Sequence, residues 1–127
     1  MLDNGFTITN KTKGKLPRLP FVSIKNKILG KNYELGLILL TSQKQKQINL
    51  KYRGKNETTS IFSFPLSENS GEITIDPNKI KKDSPFFNMT YLQFFKYLFI
   101  HGCLHLKGFE HSSIMEKEEE KYLRMFS

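Results

Sequence analysis

Hydrophobic and polar positions along the chain follow two periods. Residues 5–10 interleave Phe6 and Ile8 with Thr7 and Thr9, which predicts a short strand. Residues 33–40 hold a near-continuous apolar run, Leu35 and then Leu37 to Leu40, which predicts a strand covered on both faces. Residues 58–65, rich in Thr, Ile and Phe, predict a third strand closed by Pro65. Gly71-Glu72-Ile73-Thr74-Ile75-Asp76 alternates as a fourth until Pro77, and the last two read as a hairpin with a short loop.

The other period is helical. Phe21, Ile24 and Ile28 predict a helix over residues 21–29, stopped by Gly30. Thr41 and Ser42 are good N-caps for a helix over 43–52, whose few apolar positions, Ile48 and Leu50, leave much of it exposed. Residues 79–88 are polar and irregular, with room for a helical turn. Leu92, Phe95, Phe99, Leu104 and Leu106 predict a helix starting near Thr90. A last helix over 113–125 carries Glu116, Glu118, Glu119 and Glu120, expected as a solvated face near a helix N-terminus, where negative charge is favoured. Helices and strands intermixed predict one α+β domain over residues 1–127.

Composition narrows the class. Eleven Phe and five Tyr without Trp supply the bulk of a modest core. One cysteine excludes an internal disulfide and fits a reducing compartment. The first residues do not resemble a signal peptide, and the longest aliphatic run is far too short to span a bilayer. A soluble cytoplasmic protein with no membrane partner is expected. The net charge of +8 is unevenly spread: residues 1–60 carry 12 Lys and Arg against 3 Asp and Glu, while the remainder is slightly acidic. A basic half points to an anionic partner, commonly nucleic acid, although a solvated lysine-rich surface has the same composition.

All three histidines lie in one stretch, His101-Gly102-Cys103-Leu104-His105-Leu106-Lys107-Gly108-Phe109-Glu110-His111. At about 100° per residue, His105 sits roughly 40° round from His101 and one turn further along. Two imidazoles so placed hold one ion between them. Gly108 lets the chain turn out of the helix and bring His111 back as a third ligand. Three imidazoles and an open fourth position make up a catalytic zinc site rather than a closed structural one. Cys103 lies about 200° from His101 and reads as a small buried apolar residue.

This stretch resembles the signature of the bacterial YbeY family, which is close to H-G-x-L-H-L-x-G-Y-D-H. A second block agrees: Asn49-Leu50-Lys51-Tyr52-Arg53-Gly54-Lys55, followed by Thr59-Ser60-Ile61-Phe62-Ser63-Phe64-Pro65, is similar to the family's L-N-x-x-Y-R-G-K-D and T-D-V-L-S-F-P. Gly71-Glu72-Ile73 resembles its G-D-I step. The resemblance spans roughly residues 33–122. It implies a small mixed β-sheet of about four strands packed with helices, the central helix carrying the metal-binding histidines. It also implies a zinc-dependent, single-strand-specific endoribonuclease that acts in small-subunit rRNA 3′-end maturation and ribosome quality control. The partners implied are rRNA and the small ribosomal subunit, with ribosomal proteins or assembly GTPases, and no DNA. The zinc ligands of the family fall on His101, His105 and His111, and its arginine on Arg53. Ser60 and Glu110 stand where the family has aspartates, and Phe109 where it has tyrosine.

The histidine spacing is also that of metzincin proteases, H-E-x-x-H-x-x-G-x-x-H. Gly102 stands where those enzymes keep their glutamate base, so a peptide-hydrolysing reading lacks its base. Phosphodiester cleavage has other needs: Arg53 is suited to pair with a non-bridging oxygen, and Lys51 and Lys55 with neighbouring phosphates. The plainer reading of Arg53 is a helix-end residue bonded to backbone carbonyls. The alternative function is a zinc-stabilised module that docks on the assembling ribosome with little nuclease activity, since no general base is named by the sequence.

Overall fold

The computed structural model describes residues 5–53, 60–110 and 112–127, Arg53 by its backbone only. The elements run β1 (Phe6–Asn10), α1 (Phe21–Ile28), β2 (Glu34–Leu39), α2 (Ser42–Arg53), β3 (Ile61–Ser67), β4 (Ser70–Ile75), α3 (Pro77–Asp83), a 3-10 turn (Ser84–Phe87), α4 (Tyr91–Lys107) and α5 (Ser113–Met125). The sheet order is β1-β2-β4-β3. β1, β2 and β4 are parallel, and β3 returns antiparallel along β4 as the edge strand, so the sheet is mixed as expected. Among the described residues no helix is long and apolar enough to cross a membrane.

The two faces of the sheet are unequal. Leu35, Leu37, Leu39, Ile73 and Ile75 are fully buried beneath α1 and α4. Phe6, Phe21, Phe95 and Phe99 knit those layers together, with Phe21 edge-on to Phe99 at 5.0 Å between ring centres. Burying each such side chain contributes about 1.5–3 kcal/mol. On the other face α2 covers the sheet only in part, and Gly36 and Ile38 are half-buried. The expectation that β2 is covered on both faces is therefore corrected. Its apolar run reflects one deep face and one shallow one.

α2 is mostly exposed, as expected, and the residues it buries are Gln45 and Asn49, while Ile48 is half-buried and Leu50 exposed. Three further expectations change. Pro65 does not end β3, which continues through a register shift to Ser67; proline is tolerated because β3 is an edge strand. Residues 77–87 form α3 and the 3-10 turn, because Asp76 caps the Lys79 N–H at 3.2 Å and Pro77 occupies the first helical turn. Glu119 is buried rather than solvated.

Candidate metal centre

α4 is a well-defined platform. Thr90 and Gln93 form a reciprocal capping box at its N-terminus. Gly108 ends it at φ 114°, a left-handed conformation that costs glycine little. The chain then folds back so that Phe109 N–H reaches the Leu104 carbonyl at 3.1 Å. That return puts the Phe109 carbonyl 3.0 Å from His105 Nδ1.

His101 and His105 are brought together one turn apart, their rings 4.5 Å between centres and nearly perpendicular. Nε2 of one lies 3.0 Å from Nε2 of the other. His101 Nδ1 is bonded to the Glu119 carboxylate from α5. A carboxylate and a carbonyl only accept, so both rings carry their proton on Nδ1 and present Nε2 lone pairs toward each other. Two facing lone pairs are a donor pair that a proton or a metal ion would bridge. The 3.0 Å separation is close to the roughly 3.3 Å set by a tetrahedral ion with Zn–N bonds of about 2.0–2.1 Å. These residues fit zinc. Carboxylate and carbonyl partners on the far ring nitrogens are the usual outer support of such ligands.

Glu119 is the residue that sequence reasoning missed. It is 6% exposed, whereas Glu116 and Glu120 point to solvent. The signal was available: Met115, Glu119 and Tyr122 share the buried stripe of α5, so one acid of the run interrupts an apolar face. Tyr97 O–H also approaches Glu119, at 3.5 Å. Burial first, then the Glu119 carboxylate, push the Tyr97 phenol above its ordinary pKa, so it stays protonated.

Gly102 faces the sheet. A Cβ there would stand 2.9 Å from Ile61 Cδ1 and 3.0 Å from Ile73 Cδ1, and Ser63 Oγ donates to the Gly102 carbonyl at 3.2 Å. The position that holds a catalytic glutamate in metzincins is here a close helix–sheet contact. Cys103 is fully buried in the core, as expected, and burial pushes its thiol pKa well up.

Of the remaining expected site residues, Lys51 is exposed on the last turn of α2, its Nζ 5.4 Å from the centre of the Tyr52 ring. Tyr52 packs edge-on against Phe64 at 5.1 Å. α2 thus reaches the face of β3 opposite to the one that meets Gly102, and Arg53 closes the helix there. The side chain of Arg53 lies outside the described residues, as do Lys55 and His111.

Comparison with known proteins gives a consistent result. A family model described as Endoribonuclease YbeY matches residues 8–127. The Endoribonuclease YbeY of Thermodesulfovibrio yellowstonii is 34% identical over 122 residues, covering 91% of this chain and 73% of that protein. That of Mycoplasmopsis synoviae is 35% identical over 105 residues, covering 75% and 68%. The solution structure of TM1509 from Thermotoga maritima is similar at a TM-score of 0.66 and 27% identity, over 93% of this chain and 86% of that one.

Proposed function

The chain belongs to the Endoribonuclease YbeY family, and from that premise we propose that it is a zinc-dependent endoribonuclease. Its substrate is single-stranded RNA. Its place is small-subunit rRNA 3′-end maturation and ribosome quality control in the cytoplasm. The observation that carries the metal dependence is the pair of Nε2 atoms 3.0 Å apart, each ring tied at Nδ1.

Each residue has a defined part. His101 and His105 hold the ion, and His111 completes the set by the family pattern. Glu119 fixes the tautomer and the ring orientation of His101, as the Phe109 carbonyl does for His105. A bound zinc supplies Lewis-acid polarisation of a phosphoryl oxygen and an acidified water. Arg53 stabilises charge on the phosphoryl group, and Lys51 and Lys55 hold adjoining phosphates. Gly102 brings no carboxylate, and its packing leaves no room for one, so peptide hydrolysis lacks its base.

One observation favours a second reading, the docking module on the small subunit. Glu119, the buried carboxylate at this site, is engaged on the Nδ1 side of His101 and is not placed to take a proton beside Nε2. Incubating zinc-loaded protein with single-stranded rRNA fragments and with an unfolded protein separates the readings. RNA cleavage that stops on chelation is expected. Binding of rRNA without cleavage would establish the docking module, and peptide cleavage lost in His105→Ala would overturn both.

A further inference from the structure

The other end of α4 borders a cavity, which Tyr91 lines. β1 and β2 are adjacent and parallel, but their chains leave the sheet in opposite directions. The segment after β1 leads to α1, on the face that holds α4; the one after β2 leads to α2, on the face that holds Phe62 and Phe64. In open sheets with parallel strands, ligands bind in the crevice at the strand carboxyl ends where connections diverge in this way. Here that crevice is a cavity of about 800 Å³.

Its walls are basic. Lys11, Lys13 and Lys15 come from the segment after β1, Lys81 from α3, and Thr41 from the start of α2. Among the described residues no carboxylate lines it and no ion pair engages any of the four lysines. The lysine-bearing loop is held in shape from within: Asn10 Nδ2 donates to the Gly14 carbonyl at 2.8 Å, and Asn10 Oδ1 accepts from Thr12 N–H at 2.9 Å. Lys81 Nζ sits 5.4 Å from the centre of the Tyr91 ring, which also lines the cavity. The 12-residue α2 starts at this wall with no acidic residue in its first turn, so its positive end adds to the lysines. Four exposed ammonium groups, a helix N-terminus and a switch-point crevice converge on one ligand chemistry, a phosphate.

We propose that this cavity binds backbone phosphates of the RNA strand away from the bond that is cut. The choice of RNA over free phosphate rests on the endoribonuclease reading. The lysines are exposed and the cavity is open, which suits a passing strand better than an enclosed small anion. Tyr91 and His101 are ten residues apart on α4, or about 15 Å of helix. The cavity is therefore a holding site separate from the metal centre.

The test uses metal-stripped protein, so that RNA is bound but not cut. Affinity for a long unstructured oligoribonucleotide is measured against salt for the wild type and for the triple variant Lys11→Gln, Lys13→Gln, Lys15→Gln. A control triple changes exposed lysines elsewhere, Lys31→Gln, Lys46→Gln and Lys117→Gln, for an equal loss of charge. The loop variant is expected to lose at least about tenfold in affinity at low salt, and its log–log salt slope to flatten by roughly 0.7 for each phosphate that the loop no longer neutralises. The control should lose much less. Equal losses in both variants would make the effect one of net charge and overturn the proposal, as would an unchanged slope in the loop variant. Inorganic phosphate that shifts the Thr41 and Ser42 amide resonances while RNA affinity stays unchanged would assign the cavity to a free anion and also overturn it. If the wild type fails to cleave RNA when reloaded with zinc, the endoribonuclease reading fails, whereas the binding comparison still decides the cavity.

Discussion

The two ends of α4 are built on different principles. At its C-terminal end, polar groups are few, largely buried and tied one to another: His105 to the Phe109 carbonyl, His101 to Glu119, and Nε2 to Nε2. At its N-terminal end, charges are many, exposed and of one sign. The first arrangement fixes geometry to fractions of an ångström, which chemistry on one bond demands. The second supplies attraction without precise geometry, which is what a mobile polyanion needs. Burial alone does not make a site of the first kind. Lys25 is fully buried, yet its Nζ donates to the Lys31 carbonyl at 3.2 Å and supports the local fold.

The contrast is broken most severely by removing the imidazoles. His101→Ala with His105→Ala should take zinc from about one equivalent to none and lower RNA cleavage by more than about 100-fold. Salt-dependent RNA binding should remain near that of the wild type. Metal analysis beside the binding titration checks both halves. If binding falls along with the metal, the two ends are not separate.

A smaller effect is expected at the supporting shell. Glu119→Gln should weaken zinc binding by about 10–100-fold, read by chelator competition. Its amide keeps an acceptor for His101 Nδ1 but loses the charge, so Glu119→Ala should be the worse of the two. Equal zinc affinity in all three proteins would show that the carboxylate is a bystander.

Gly102→Ala sharpens the comparison from the packing side. The added Cβ meets Ile61, Ile73 and Ser63 at 2.9–3.2 Å, so a stability loss of about 1–3 kcal/mol is expected in denaturant unfolding. Unchanged stability would mean that α4 rides more loosely on the sheet than this close packing requires.

The smallest effect belongs to Lys25. Burial lowers its pKa, so between that lowered value and about 10.4 the unfolded chain binds more protons than the folded one. Stability should therefore rise with pH across that alkaline window. Lys25→Met should flatten the rise and leave zinc content and the RNA salt slope unchanged. Melting temperatures measured against pH test it, and a rise that persists in the variant would contradict it.

Much of the histidine-bearing end of α4 was legible because its determinants are local. The histidine spacing and the left-handed Gly108 lie within eight residues of one another. The sheet strands were legible from their period, down to the hairpin of β3 and β4. What escaped depends on packing between distant segments. Glu119 looks like one acid among several until α5 lies on α4 and turns that position inward. Gln45 and Asn49 take the buried face of α2 because of what lies beneath them, against the hydropathy of Ile48 and Leu50. The basic cavity shows in the sequence only as charge on the first 60 residues. It becomes a place when α1 and α2 leave the sheet on opposite faces and Lys81 arrives from a segment 66 residues beyond Lys15.

The central claim is that His101 and His105 present Nε2 to one metal ion while their Nδ1 atoms stay protonated. Long-range proton–nitrogen NMR of the imidazoles during a zinc titration tests it most directly. The account predicts that both Nε2 resonances move and saturate at about one equivalent, with the Nδ1 protons retained on the Glu119 and Phe109 partners. Zinc that leaves these Nε2 resonances unmoved, or that displaces the Nδ1 protons instead, would contradict it.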